Sequence, residues 1–202
     1  MRVDTSEADS RQMHSLLGSA IAPLPIALIS TVGENGIYNA APYSLVFPVS
    51  WKPPIICVSF GMKRGQKKDT LKNIEYSEDF VVNIMDETLI KPVLKTAAEY
   101  PSDVDEIKEV GLTAISSEKV SSPRISEAQI NLECKFRQTL EFGVEGDFRT
   151  LIFGEVLLFH IKDNILKNNK IDPSRLRAVG RLARGIYCRS TDILKLSDPR
   201  SQ

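Results

Sequence analysis

The stretch AQINLECKFRQTLEFG, Ala128 to Gly143, alternates apolar and polar residues with unusual strictness. Ala128, Ile130, Leu132, Cys134, Phe136, Leu140 and Phe142 fall on one side of an extended chain; Gln129, Asn131, Glu133, Lys135, Arg137, Thr139 and Glu141 fall on the other. A period of two marks a strand with one buried and one wet face, and at this length it commits the chain to a large sheet. The next run, TLIFGEVLLFHIKD, departs from that pattern. From Val156 to Ile161 both sides are apolar apart from His160, so a helix or a partner subunit has to cover the second face, and a homodimer is the commonest form of the latter.

The first half reads as shorter strands. PIALISTV (Pro25–Val32), the turn GENG and IYNAAPYSLVFPVS form a hairpin, with Asn35-Gly36 supplying positive φ. IICVSF (Ile55–Phe60) is another strand, set off by Pro53 and Pro54, which mark a loop. A short helix is predicted from Asp69 or Thr70, either of which can cap it, and DFVVNIMD returns to strand. Thr88 to Tyr100 is helical in composition, with Pro92 at a start or a kink. About 100–124 reads as a surface excursion. Many strands with few helices between them exclude regular parallel crossovers and point to a mainly β, antiparallel barrel with peripheral helices.

With 202 residues, 42% of them hydrophobic, the chain suits a single domain spanning 1–202. Twenty-six Lys and Arg balance 26 Asp and Glu, so no global field draws nucleic acid or an anionic membrane, and any anion site must be local. The apolar runs are too short to span a bilayer and no signal-like leader opens the chain. Cys57, Cys134 and Cys188 form no CxxC, which argues against a disulfide framework or a zinc site and for a reducing cytoplasm.

Chemistry concentrates in FGMKRGQKKDT, Phe60 to Thr70. Four cations (Lys63, Arg64, Lys67, Lys68), flexible backbone at Gly61 and Gly65, the Thr70 hydroxyl and the free N–H groups of a helix start can together bind a phosphate; the alternative is a solvated charged turn. Neither GxxxxGK[ST] nor GxGxxG is present. In the preceding strand, Pro42 implies an edge or bulge that leaves backbone groups free for a planar heterocycle, unless Asn39, Tyr43 and Ser44 merely finish a strand.

Five pieces in order, NAAPYSLVFPVSWKPPIICVSF, KDTLKNI, DFVVNIMD, IFGEVLLFHI and VGRLARGIYCRSTDIL, resemble the flavin reductase-like family with the FMN-binding split barrel, over about Leu24 to Leu194. The resemblance implies a dimeric split β-barrel with FMN at the subunit boundary and NADH or NADPH as reductant. It places Asn39, Ala41, Pro42, Tyr43, Ser44 and Leu45 along the isoalloxazine and Ser59, Phe60 and Gly61 near the ribityl chain. Lys68, Asp69 and Thr70 fall at the phosphate, with Arg64 and Lys67 as further cations. Where that family usually reads RLGG, this chain has Arg181-Leu182-Ala183-Arg184-Gly185, with Tyr187 retained, a change expected to alter the pocket.

Other residues carry less. His160 reads as a satisfied structural histidine, the cysteines as small core residues, and Trp51 and Tyr187 either as pocket aromatics or as packing. No GxSxG accompanies them, no metal site is expected, and no catalytic side chain is assigned because the flavin carries the reaction. Three readings follow: an NAD(P)H-dependent flavin reductase-like oxidoreductase, a non-catalytic FMN electron carrier, and a flavin-free barrel module docking an acidic partner.

Overall fold

The structure is a computed structural model and describes residues 1–144, 147–194 and 196. The chain opens with α1 (Ser10–Ala20), β1 (Leu24–Pro25), β2 (Ala27–Val32), β3 (Tyr38–Tyr43), β4 (Val46–Trp51) and β5 (Pro54–Gly61). Next come α2 (Asp69–Ser77), β6 (Asp79–Ile84), α3 (Ile90–Lys95), α4 (Glu106–Glu109), β7 (Ala114–Ile115) and β8 (Arg124–Ile125). The long strands β9 (Ile130–Val144) and β10 (Asp147–Ile161) follow, then β11 (Leu166–Lys167), β12 (Lys170–Ile171), α5 (Pro173–Leu176), β13 (Val179–Ala183) and β14 (Ile186–Arg189).

Seven strands form one antiparallel sheet in the order β3-β2-β6-β9-β10-β5-β4. Its two edge strands, β3 and β4, are joined through only Ser44 and Leu45, so the sheet has to curl until its edges meet within about 10 Å. The backbone N–H of Ser59 donates to the Leu45 carbonyl at 2.9 Å beside that seam. The result is a rolled sheet, split between β3 and β4. Pro42 and Pro48 both sit on these edge strands, where a missing N–H is tolerated, and a bulge follows Pro48.

The core inside the roll includes Ile29, Val58, Phe60, Phe80, Val82, Cys134 and Ile152, with Leu71 and Ile74 of α2 packed onto it. Gly154 is required here: a Cβ at that position would lie 2.5 Å from Phe80 Cζ. The hairpin turn carries its positive φ at Gly36 alone, and Pro54 begins β5 instead of sharing the loop with Pro53. Lys68 is the N-cap of α2 and makes no side-chain capping bond, so neither Asp69 nor Thr70 caps, although the helix begins where predicted.

The strict alternation of β9 does not translate into one buried and one wet face. Ile130 to Cys134 are all buried, while Arg137 to Val144 are all exposed. The cause lies in the segment expected on the surface. Ile107, Leu112 and Ile125 join a second core with Leu28, Ala40, Met85 and Val93, and the same segment lies over the polar side of β9. Asn131 Nδ2 donates to Asn83 Oδ1 at 2.8 Å and to the Ile125 carbonyl at 3.0 Å. Glu133, fully buried, accepts from the N–H groups of Glu118 and Lys119 and contacts His160 Nε2 at 2.7 Å. His160 is thus the satisfied histidine expected. Leu157 and Phe159 remain exposed at 40% and 52%.

Candidate functional site

The expected anion loop is a tight hairpin. Lys63 and Gln66 exchange backbone hydrogen bonds of 2.8 and 2.9 Å across Arg64 and Gly65, both with positive φ (50° and 75°). This two-residue turn holds Arg64 in a backbone region that disfavours side chains. It also sends the four cations to different places. Arg64 pairs with Glu99 at 2.8 Å and Lys67 with Glu75 at 2.5 Å, both at the surface. Lys63 and Lys68 have no ion-pair partner among the described residues.

Lys68 is half-buried, its Nζ 5.2 Å from the centre of the Tyr43 ring. Burial pulls its pKa down, and the nearby charges of Arg149 and Lys63 pull the same way. Three cations therefore come near one another, none of them in an ion pair among the described residues. Arg149 reaches this group because the antiparallel register sets it opposite Gly61, where a Cβ would come within 2.7 Å of its Nη1. The guanidinium thus lies against the bare backbone of Gly61, and a side chain there would push it aside. The first turn of α2 contributes N–H groups that helix geometry leaves without intrahelical acceptors.

Beside this cluster, Tyr43 is buried and tilted against Phe60, ring centres 4.6 Å apart. Its hydroxyl has no hydrogen-bond partner among the described residues. Burial drives the Tyr43 pKa up; the neighbouring Thr70 hydroxyl opposes this without reaching hydrogen-bond geometry. An orphaned buried donor next to unpaired cations fits a site made to receive an anionic, polar ligand.

The other expected residues divide between the seam and the core. Ala41 and Pro42 lie half-buried on edge strand β3, while Ser44 and the exposed Leu45 span the seam itself. Arg181 Nη1 donates to Ser44 Oγ at 3.3 Å, bringing the late RLARG segment to the same place. The side chains of Ser59 and Phe60 are buried, and the Ser59 N–H is already spent on the Leu45 carbonyl. Asp69 is engaged by Lys72 at 2.9 Å. The Thr70 hydroxyl, expected to face phosphate, donates instead to Asn39 Oδ1 at 2.8 Å. Trp51 is exposed at the tip of β4, Tyr187 is half-buried on β14, and Cys57 and Cys134 are buried with thiol pKa values raised by burial.

Arg149 is not marked by its local sequence, and only the pairing of β10 with β5 brings it to Gly61; Arg181 opens the segment expected to shape the pocket, and its bond to Ser44 sets it at the seam. Among the described residues, no group of three or more His, Cys, Asp or Glu is placed to hold a metal ion, and no helix is long and apolar enough to cross a membrane.

A rolled antiparallel sheet with peripheral helices, split between its two edge strands, defines the split-barrel class. The chain belongs to the flavin reductase-like family, whose domain profile, the flavin reductase like domain, matches residues 19–178. It is similar to nitrilotriacetate monooxygenase component B from Bacillus cereus, at 32% identity and a TM-score of 0.93 over 97% of this chain and 98% of that one. It is also similar to the Pseudomonas fluorescens 2-nitrobenzoate 2-nitroreductase NbaA, at 29% identity and a TM-score of 0.89 over 98% and 96% of the two chains. A split-barrel structure from Shewanella frigidimarina shares the fold at 19% identity, with a TM-score of 0.84 over 98% of this chain and 99% of that one.

Proposed function

We propose that this chain is an FMN-binding, NAD(P)H-dependent flavin reductase-like oxidoreductase, acting as a cytoplasmic homodimer of a single domain. The observation that carries the FMN assignment is the convergence of Lys63, Lys68 and Arg149, none ion-paired among the described residues, near the start of α2, with Arg149 lying against Gly61. A flavin phosphate needs such a local positive site in a chain without net charge. The half-buried Lys68 ammonium and the Arg149 guanidinium would hold the phosphate end, with the first-turn N–H groups of α2. The seam residues Asn39 to Leu45, with Arg181, would line the ring end.

When bound, FMN supplies hydride acceptance and electron transfer. The protein's own part would be to orient the flavin: Tyr43 carries an unspent hydroxyl beside the cations, and Phe60 packs behind its ring. No protein acid or base is assigned. The similarity to a monooxygenase component and to a nitroreductase supports an electron-donating role and makes nitroaromatics worth including among the acceptors tested.

The test is the visible spectrum of protein loaded with excess FMN and freed of unbound flavin, followed by NADH or NADPH without oxygen. Retained flavin that bleaches supports the reductase. Retained flavin that does not bleach leaves an electron carrier, and no flavin at all leaves either a reductase that takes flavin as a weakly held substrate or a binding module for another anion. Lys68→Ala and Arg149→Ala should each weaken FMN by about 10- to 100-fold, the range of a charged hydrogen bond, and leave riboflavin nearly unchanged. Equal loss of both ligands removes the phosphate assignment.

A further inference from the structure

Glu106 belongs to none of the elements that built the site, yet it is wired into it. It stands in the first turn of α4 and is 8% exposed. Through one oxygen, Oε2, it accepts from Asn39 Nδ2 at 2.7 Å and from the Ala40 N–H at 2.8 Å. With its amide nitrogen committed to Glu106, Asn39 must present its oxygen the other way, where it accepts the Thr70 hydroxyl at 2.8 Å. Thr70 lies in the first turn of α2, directly after Lys68 and Asp69. Two successive hydrogen bonds thus lead from a buried carboxylate to the helix start.

Glu106 also lines a cleft of about 450 Å³ together with Asn39, Asp69, Lys72 and Glu34, so solvent protons can reach its side of the fold. Burial raises its pKa to about 7; the Ala40 N–H and Lys63 oppose that rise, and Asp69 and Asp105 add to it. Tyr43 in turn feels the Glu106 charge.

We propose that Glu106 is a positioning residue for the phosphate end of the flavin site, orienting Asn39 so that Thr70 and the first turn of α2 are held, while its own negative charge opposes the bound anion. This rests on the flavin reading above. The sign follows from linkage. An anion bound near Lys63 and Lys68 favours the neutral form of Glu106, so binding takes up a proton and affinity falls as pH rises through the pKa.

The experiment compares wild type, Glu106→Gln and Glu106→Ala from pH 6 to 8.5, measuring FMN and riboflavin dissociation constants by flavin fluorescence. Dividing wild type by Glu106→Gln cancels the titration of the phosphate itself. That ratio for FMN should rise about threefold or more with pH, as one nearby charge dictates, and stay flat for riboflavin. Glu106→Ala should bind FMN more weakly than Glu106→Gln at every pH, because both lack the charge and only Gln keeps an acceptor for Asn39 and Ala40.

A second readout needs no flavin. The Asn39 side-chain amide and Thr70 backbone amide NMR shifts should titrate together near neutrality in wild type and stay flat in Glu106→Gln. A pH-independent FMN ratio, or amides that ignore Glu106, overturns the proposal. Wild type that binds no FMN but shows the amide titration overturns the flavin reading and leaves the coupling standing.

Discussion

Tyr43 shows how a single residue can report on a site. Its ring is core, but its hydroxyl is buried without a partner, a state that costs stability in the free protein. Tyr43→Phe should therefore leave the melting temperature unchanged or raise it, and weaken flavin binding. A fall in melting temperature with flavin affinity intact would mean the hydroxyl serves packing alone. Lys68 and Gly61 were legible in the sequence because a cation and a glycine before a helix start are local signals. Arg149 and Glu106 were not, and Arg181 was legible only as part of the segment that departs from RLGG. Each acts through a neighbour distant along the chain, and their chemistry is set by the register of β5 with β10, the contact of β13 with the seam and the seat of α4 beside β3.

Among the elements, β9 teaches most. Its alternation correctly announced a strand, but the polar side was read as wet because a sequence pattern cannot show that another segment will lie over it. Asn131 and Glu133 are buried with their hydrogen bonds met, which a polar residue type alone does not distinguish from exposure. Glu133 makes this cover pH-sensitive. Burial works to raise its pKa, but the N–H groups of Glu118 and Lys119, and then His160, outweigh it and hold the value below the ordinary glutamate range. Such a group stabilises the fold above its unfolded pKa and loses that contribution as pH falls through the lower folded value. Urea unfolding should show stability dropping below about pH 4 in wild type. Glu133→Gln should be less stable at pH 7 by about 1–3 kcal/mol, with a shallower acid limb. Parallel acid limbs would assign the drop to other carboxylates.

At the scale of the whole molecule, the sequence announced the sheet, its antiparallel sense and an apolar face in want of cover. Part of that cover comes from within, since Leu158 stands opposite Glu133, which accepts from the loop at Glu118 and Lys119. Leu140, Phe142, Leu157 and Phe159 on the long strands stay exposed, as do Phe47 and Val49 on β4. A second copy of the chain is the occupant that fits the proposed homodimer. Leu157→Asp should convert the dimer to monomer in light scattering and release flavin with it; a flavin-loaded dimer after that change would move the interface elsewhere.

The prolines on the two edge strands then take on another meaning. An exposed strand edge is an invitation for any extended peptide to add on, and repeated addition is how sheets grow into fibres. Pro42 and Pro48 interrupt the row of donors on β3 and β4, and the bulge after Pro48 bends the second edge further away. A chain that leaves so many aromatic and aliphatic side chains open is thereby guarded against backbone-to-backbone stacking, and the proposed pairing of two copies would run through side-chain faces, where it can end at a closed, countable assembly.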